Sequence, residues 1–355
     1  IWFLDPFGYE TIIRGSDESN DNWQRLAKQG FTGIQAIGGS VAFSNDELDV
    51  VHHLAVYAPE PLQKAAGMLA FNPAGRVPLP QWIPADVGRV AMVNWDLSAA
   101  FTAYGSWFDD VYGEGESGVF EEVVLGIRDD PGSPGVDIRK DLLANLQGPV
   151  FIVGGAAELK SAASDPTLLA IQTSNESRVR TAVDKLLTED PDVDRRDIGA
   201  TKAWVFRNVG KQESENENVG PDLSDVAVCL HEGYLIVASD VALLEIILTK
   251  GPNVGPLATD GRFERVLRRI EEGSGEDTIL RQFSDDGVDM RLLYGQLRAG
   301  QIQEVNSLRG RMIAALVSAA APPAAETPAT TNSTAERKPL PLAKLPTFDA
   351  VRPYL

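Results

Sequence analysis

Apolar positions along the chain alternate between two periods. Short runs rich in Val, Ile and Leu, bounded by Pro, Ser, Asn or Asp, read as strands. Segments with a 3.6-residue period follow them. In SNESRVRTAVDKLL, Val179, Val183, Leu186 and Leu187 fall at i, i+4, i+7 and i+8, one face of a helix. In SDVALLEIIL, Val241, Leu244 and Leu248 keep the same spacing. Each helix follows an apolar run and a short polar turn, so the recurring unit is strand, turn, helix.

That unit repeats imperfectly. QGFTGIQAIGGSVAF (29–43) and QGPVFIVGGAAEL (147–159) share Gln-Gly, an apolar run and Gly-Gly. LAVYAPEPLQKAAGMLA from Leu54 resembles LAIQTSNESRVRTAVDKLL from Leu169, and LIVASDVALLEIIL from Leu235 is a looser third copy. A second recurring unit aligns Trp95-Asp96-Leu97 with Val288-Asp289-Met290, each with an Asp before an amphipathic helix. An Asp there accepts a hydrogen bond from a first-turn amide that would otherwise lack a partner. The pattern predicts an α+β fold: duplicated strand-turn-helix units forming mainly antiparallel sheets, with helices packed on one face.

The repeat positions place a first unit at 1–128 and a second at 129–310, joined through the turn-rich DDPGSP. Residues 311–346 read as a helix end and an extended Pro/Ala/Thr-rich linker, and 347–355 as the start of a truncated final element. KQESENENVGPD (211–222) has almost nothing to bury and reads as an exposed loop. In VDIRKDLLANLQGPVFIVGG, Asp137 reads as a helix cap, Ile138, Leu142, Leu143 and Leu146 as the helix's buried face, and Gly148 as its stop. Gly38-Gly39 and Gly154-Gly155 read as turns rather than phosphate loops, because no helix N-terminus follows Gly39.

Composition narrows the function classes. Of 355 residues, 43% are hydrophobic and 23% charged, which is globular, and the length suffices for two or three domains. The net charge of −19 argues against a nucleic-acid partner, which needs a basic footprint, and against an anionic membrane surface. No apolar run reaches the ~20 residues of a spanning helix, so a membrane anchor is expected only outside these residues. The single cysteine, Cys229, lies in an apolar run and reads as a small buried hydrophobe.

Chemistry-bearing motifs are sparse. His52 and His53 are neighbours on a strand and therefore point to opposite faces, which disfavours a shared metal. His231 has no serine or acid partner at a recognisable spacing. EDPDVDRRDIG imitates a calcium loop through Asp190, Asp192, Asp194 and Asp197. It has Arg195 where the sharp turn needs Gly and Thr201 where the bidentate Glu belongs, so it reads as a solvated loop. Trp82, Trp95 and Trp107 are available for sugar binding, although Trp at such spacing more often packs in a core. No catalytic residue, metal ligand or cofactor is assigned.

WFLDPFGY, QGFTGIQAIGG, VDIRKDLLANLQGPV, the DPDVDRR segment and LPTFDAVRPYL together resemble a family of planctomycete secreted or membrane-associated proteins of unknown function. A broader bacterial family sharing a D-x-x-K-D-L-[LV] segment before a Gly-containing strand is more distantly similar. The resemblance implies an exported protein, with a signal or anchor before Ile1 and a final strand after Leu355, and it brings no catalytic residues. The expectation is a non-enzymatic structural or binding domain of the bacterial cell envelope, located outside the cytoplasm. Envelope proteins, glycans or an apolar ligand are the partners it suggests. The alternatives are an acid-dependent hydrolase of envelope polymers and a carrier for a lipid or other apolar ligand.

Overall fold

The computed structural model describes residues 1–8, 21–43, 50–156 apart from 74 and 76, 166–207, 225–273, 278–285, and 287, 288, 291 and 294. The acidic segment 211–222, Asp289, the linker 311–346 and the final element 347–355 lie outside the described residues.

The fold is α+β with antiparallel sheets, as the periodicity predicts. A three-stranded sheet joins β1 (Trp2–Leu4), β2 (Ala36–Phe43) and β3 (Val50–Tyr57) in that order. An eight-stranded sheet holds β4 (Val87–Val93), β5 (Leu146–Ala156), β6 (Thr167–Thr173), β7 (Val193–Ile198), β8 (Thr201–Phe206), β9 (Ala227–His231), β10 (Tyr234–Ala238) and β11 (Leu280–Ser284). Its order is β11-β4-β5-β6-β10-β9-β8-β7. Strand β4, which precedes residue 128, therefore sits between β11 and β5, and the two sequence units share one sheet.

The internal repeat has a structural counterpart. β2 pairs with β3 and β5 with β6, both as antiparallel hairpins. After β3 comes a 3-10 turn at Lys64–Leu69; after β6 comes helix α4 (Glu176–Leu187), capped by Asn175. The third copy runs from β10 into α5 (Val241–Glu245), capped by Asp240. Further helices are α1 (Asp21–Lys28), α2 (Leu97–Val111), α3 (Val119–Asp129) and α6 (Gly261–Gly273). Gly251–Val254 forms a single further turn after α5.

Strand alternation builds the main core. Met92, Phe151, Ala170, Ile236 and Cys229 stand in register across β4, β5, β6, β10 and β9, so their side chains share one face. Leu243 and Leu244 of α5, Ile247, Leu257 and the α6 residues Phe263 and Leu267 cover that face, all buried. On the opposite face, Val179 and Val183 of α4 pack on Trp204, Leu230 and Leu235 in a second, smaller cluster, so helices cover both faces of the large sheet rather than the one face expected. α1 docks on α2 through Asp110, whose carboxylate meets Arg25 Nε at 3.2 Å and Lys28 Nζ at 2.5 Å. The three-stranded sheet leaves Phe3, Leu54, Val56 and Tyr57 exposed among the described residues.

Several local expectations are corrected. The Gly-Gly pairs do not turn the chain; they lie inside β2 and β5. A Cβ on Gly39 would sit 2.6 Å from the His53 carbonyl oxygen, and one on Gly154 2.7 Å from Arg89 Nε. At Gly39 the close approach of backbone, not turn geometry, calls for glycine, whereas at Gly154 the neighbour is the far end of the Arg89 side chain, which can move aside. Residues 138–145 form a π turn and a 3-10 turn rather than one helix, and β5 already begins at Leu146. Gly148 does take a left-handed φ of 71°, but within β5, where the register to β6 slips between Gln147 and Val150. It makes a β-bulge instead of a helix cap. The DPDVDRRDIG segment is also not a loop, because Val193–Ile198 forms the edge strand β7. An edge strand exposed along half of its length needs no apolar alternation, so its charges disguise it.

Candidate functional site

Two clefts contain the side chains that the sequence singles out. The first lies where β4 hands over to α2, beside the bulge of β5. Asn72, Asn94, Trp95, Asp96, Ser98 and Gln147 supply its polar and aromatic groups, over an apolar floor of Leu97, Leu143 and Leu146; its volume is about 250 Å3.

Local backbone chemistry fixes each of these groups. Asn94 is buried; its amide donates to the Ile279 carbonyl at 2.8 Å and its Nδ2 to the Thr278 carbonyl at 2.7 Å. Its own carbonyl accepts from the Asn72 amide at 2.8 Å. Trp95 forms a bridge with Phe71, and its indole Nε1 donates to the Met68 carbonyl at 2.7 Å. The residue is nevertheless 38% exposed, and its indole is tied in place by that hydrogen bond. The Asp96 amide donates to the Ala70 carbonyl at 2.9 Å, and Asp96 Oδ1 caps α2 by accepting from the Ala99 amide at 2.9 Å. Gln147 sits at the bulge, exposed, next to left-handed Gly148. It is the last residue of β5 paired with β6, opposite Gln172, before the register slips, and it is exposed.

The second cleft, also about 250 Å3, is lined by Gln81, Trp82, His231, Glu232, Ile247 and Leu248, with Gly255 and Pro256. His231 ends β9, and its Nδ1 lies 2.8 Å from Thr201 Oγ1, at the start of β8. Its Nε2 is 3.8 Å from Glu232 Oε1. Glu232 and Gly233 make the tight β9–β10 turn with φ of 46° and 80°, a conformation that costs a non-glycine residue about 1 kcal/mol. Trp82 meets His231 and Tyr234 edge-on at 6.2 and 5.8 Å. Its Nε1 is buried without a hydrogen-bond partner among the described residues. Burial pushes the Tyr234 phenol above its ordinary value.

The partners of His231 were invisible at the sequence level. Glu232 is simply adjacent, and Thr201 lies thirty residues upstream, joined only through the β8–β9 pairing. Cys229 is fully buried, and burial pushes its thiol up to about 12, far from a reactive thiolate. Asp137 does cap the turn that follows it, accepting from the Lys140 amide at 3.0 Å. That hydrogen bond holds its carboxyl below the usual range. His53 is exposed on β3, opposite Ser40. Asp194 pairs with Arg207 at 3.2 Å, and Asp190 accepts from the Asp192 amide at 2.9 Å, which are structural roles. Trp107 is half-buried in α2. Among the described residues no group of three or more His, Cys, Asp or Glu is placed to hold a metal, and no helix is long and apolar enough to cross a membrane.

No family model matches the chain, and neither a curated protein nor a solved structure matches it. The site's chemistry is therefore read from its own residues.

Proposed function

We propose that the protein is a non-enzymatic binding domain of the bacterial cell envelope, with the Trp95 cleft as its ligand site. The observation that carries this reading is an exposed tryptophan held in place by its own N–H, set among amides and one carboxylate. A fixed aromatic face with polar groups at its rim provides shape and hydrogen bonds at low ordering cost. The one carboxylate already spends Oδ1 on the α2 cap. This set of groups is suited to recognition more than to supplying a nucleophile and a base. The extracytoplasmic location draws its support from the motifs that resemble secreted planctomycete proteins.

The test is a pull-down of purified protein with insoluble envelope polymer, together with an assay for soluble products. Retention on the polymer with no product release is the expected result. Product release that persists through purification would overturn it.

A hydrolase is the second reading, and the His231 cleft favours it. Thr201 orients the imidazole through Nδ1, which leaves Nε2 toward the cleft beside Glu232. The Glu232 carboxylate, 3.8 Å from Nε2, is beyond direct hydrogen-bond reach, so proton transfer between the two would run through one water. In that case His231→Gln abolishes product release while Trp95→Ala leaves it intact.

A further inference from the structure

The Trp95 cleft has features that specify the chemical class of its ligand. Among the described residues its lining joins one aromatic plane to primary amides, a hydroxyl and a single carboxylate, with no lysine or arginine. A strongly anionic ligand would meet Asp96 without a compensating cation. A purely apolar ligand would strip water from Asn72, Gln147 and Ser98 without replacing their hydrogen bonds. A ligand that fits both constraints has an apolar face for the indole and a rim of neutral donors and acceptors. A sugar ring meets this description, with its C–H face against the indole and its hydroxyls toward the amides.

The donor and acceptor directions are complementary to hydroxyl groups. Nδ2 of Asn94 is committed to the Thr278 carbonyl, which leaves its Oδ1 as an acceptor. Asp96 Oδ1 is committed to the Ala99 amide, which leaves Oδ2 as a second acceptor. Gln147 presents a full amide, both donor and acceptor, and Ser98 a hydroxyl that can do either. Hydroxyls can satisfy such a mixed set, because each one both donates and accepts.

Size adds a constraint. A volume of about 250 Å3 is below the ~300–1,000 Å3 typical of drug-sized sites, so one ring sits in the cleft and the rest of a chain lies outside. We propose that the Trp95 cleft binds one ring of a neutral saccharide chain. This rests on the reading of the cleft as the ligand site of a binding domain, and it names that ligand's class.

The experiment is an equilibrium titration of the purified protein, following tryptophan fluorescence and heat. The probes are the β-1,4-linked trisaccharide of N-acetylglucosamine, cellotriose, maltotriose and a neutral blocked tripeptide. At least one trisaccharide is expected to bind with a dissociation constant on the order of 1 mM or tighter, as a single well-seated ring would give. Trp95→Ala should weaken that binding at least tenfold and Gln147→Ala about threefold. Gln147 is exposed, so its variant tests the site with the fold kept intact; Trp95→Phe, which keeps an aromatic face, should bind better than Trp95→Ala. Circular dichroism of each variant confirms folding.

Three results would overturn the proposal in different ways. Trp95-dependent binding of the tripeptide without any trisaccharide would refute the saccharide class while leaving the binding domain standing. Trisaccharide binding unaffected by both Trp95→Ala and Gln147→Ala would refute the location. Cleavage of a bound trisaccharide would refute the non-enzymatic reading itself.

Discussion

Asp96 has two jobs in this structure, and replacing it separates them. Oδ1 caps α2 through the Ala99 amide at 2.9 Å, and the carboxylate also lines the Trp95 cleft. Losing an N-cap side chain costs about 1 kcal/mol, within a range of roughly 0.5–2. Losing a negative charge at the N-terminus of a fifteen-residue helix costs about 0.3–1 kcal/mol more. Asp96→Ala loses both, so a destabilisation of about 1–2.5 kcal/mol is expected. Asp96→Asn keeps an oxygen for the Ala99 amide and loses only the charge, so about 0.3–1 kcal/mol is expected. Urea unfolding followed by circular dichroism measures both, with unchanged m-values as the check that only stability moved. High salt should shrink the Asp96→Asn cost, because charge–dipole terms are screened. Equal losses for the two variants would show that capping is not what the carboxylate does, and the account of this helix start would fail.

The other predictions follow from burial and charge. Cys229, buried with its thiol pushed up to about 12, should resist a thiol reagent at pH 8 in the native protein and react at the rate of unfolding; rapid native labelling would contradict its placement in the core. Gly39→Ala puts a methyl 2.6 Å from the His53 carbonyl oxygen and 2.9 Å from the Trp2 ring. It should cost about 1–3 kcal/mol, as overpacking does, and speed amide exchange in β2 and β3; unchanged exchange there would restore the turn reading. The carboxyls of Asp110, beside Lys28, of Asp141, beside Arg178, and of Asp260, beside Arg262, all sit below the usual range. Depressed folded values mean that their stabilisation is fully present above the unfolded carboxylate value of ~3.9 and is lost as pH falls through the folded values. Stability measured from pH 7 downward should therefore hold to about pH 5 and decline below about pH 4; a decline between pH 7 and 5 would point to other groups.

The parts of the fold legible in the sequence are those set by nearest neighbours. Asp96 and Asp137 stand before helical turns because a short acceptor there satisfies a free amide, and each does so. The β2–β3 and β5–β6 hairpins follow from apolar runs with turn-forming residues between them. What remained hidden depends on distant chain. Gly154 reads as a turn until Arg89 of β4 is placed against it. Gly148 announces a left-handed residue, but only pairing with β6 decides between a cap and a bulge. β7 carries charges because it is an edge, and edge position is not a local property. The cleft shows the same limit. Asn72, Trp95 and Gln147 come from three separated segments, and the bulge beside Gln147 belongs to a register no single segment encodes. Trp95 itself reads as core until the Met68 carbonyl shows how an exposed indole is held in place.

The central claim is that Trp95 meets the ligand, and the chain's six tryptophans give it a direct readout. Each indole N–H gives a signal in a nitrogen–proton correlation spectrum, and Trp95→Phe identifies the one that belongs to Trp95. On titration with the trisaccharide that binds best, the Trp95 signal should shift progressively and saturably. The Trp82 and Trp204 signals, from indoles whose Nε1 is buried and which do not line the cleft, should stay in place. Saturable shifts at Trp82 with none at Trp95 would move the ligand to the His231 cleft and contradict the account.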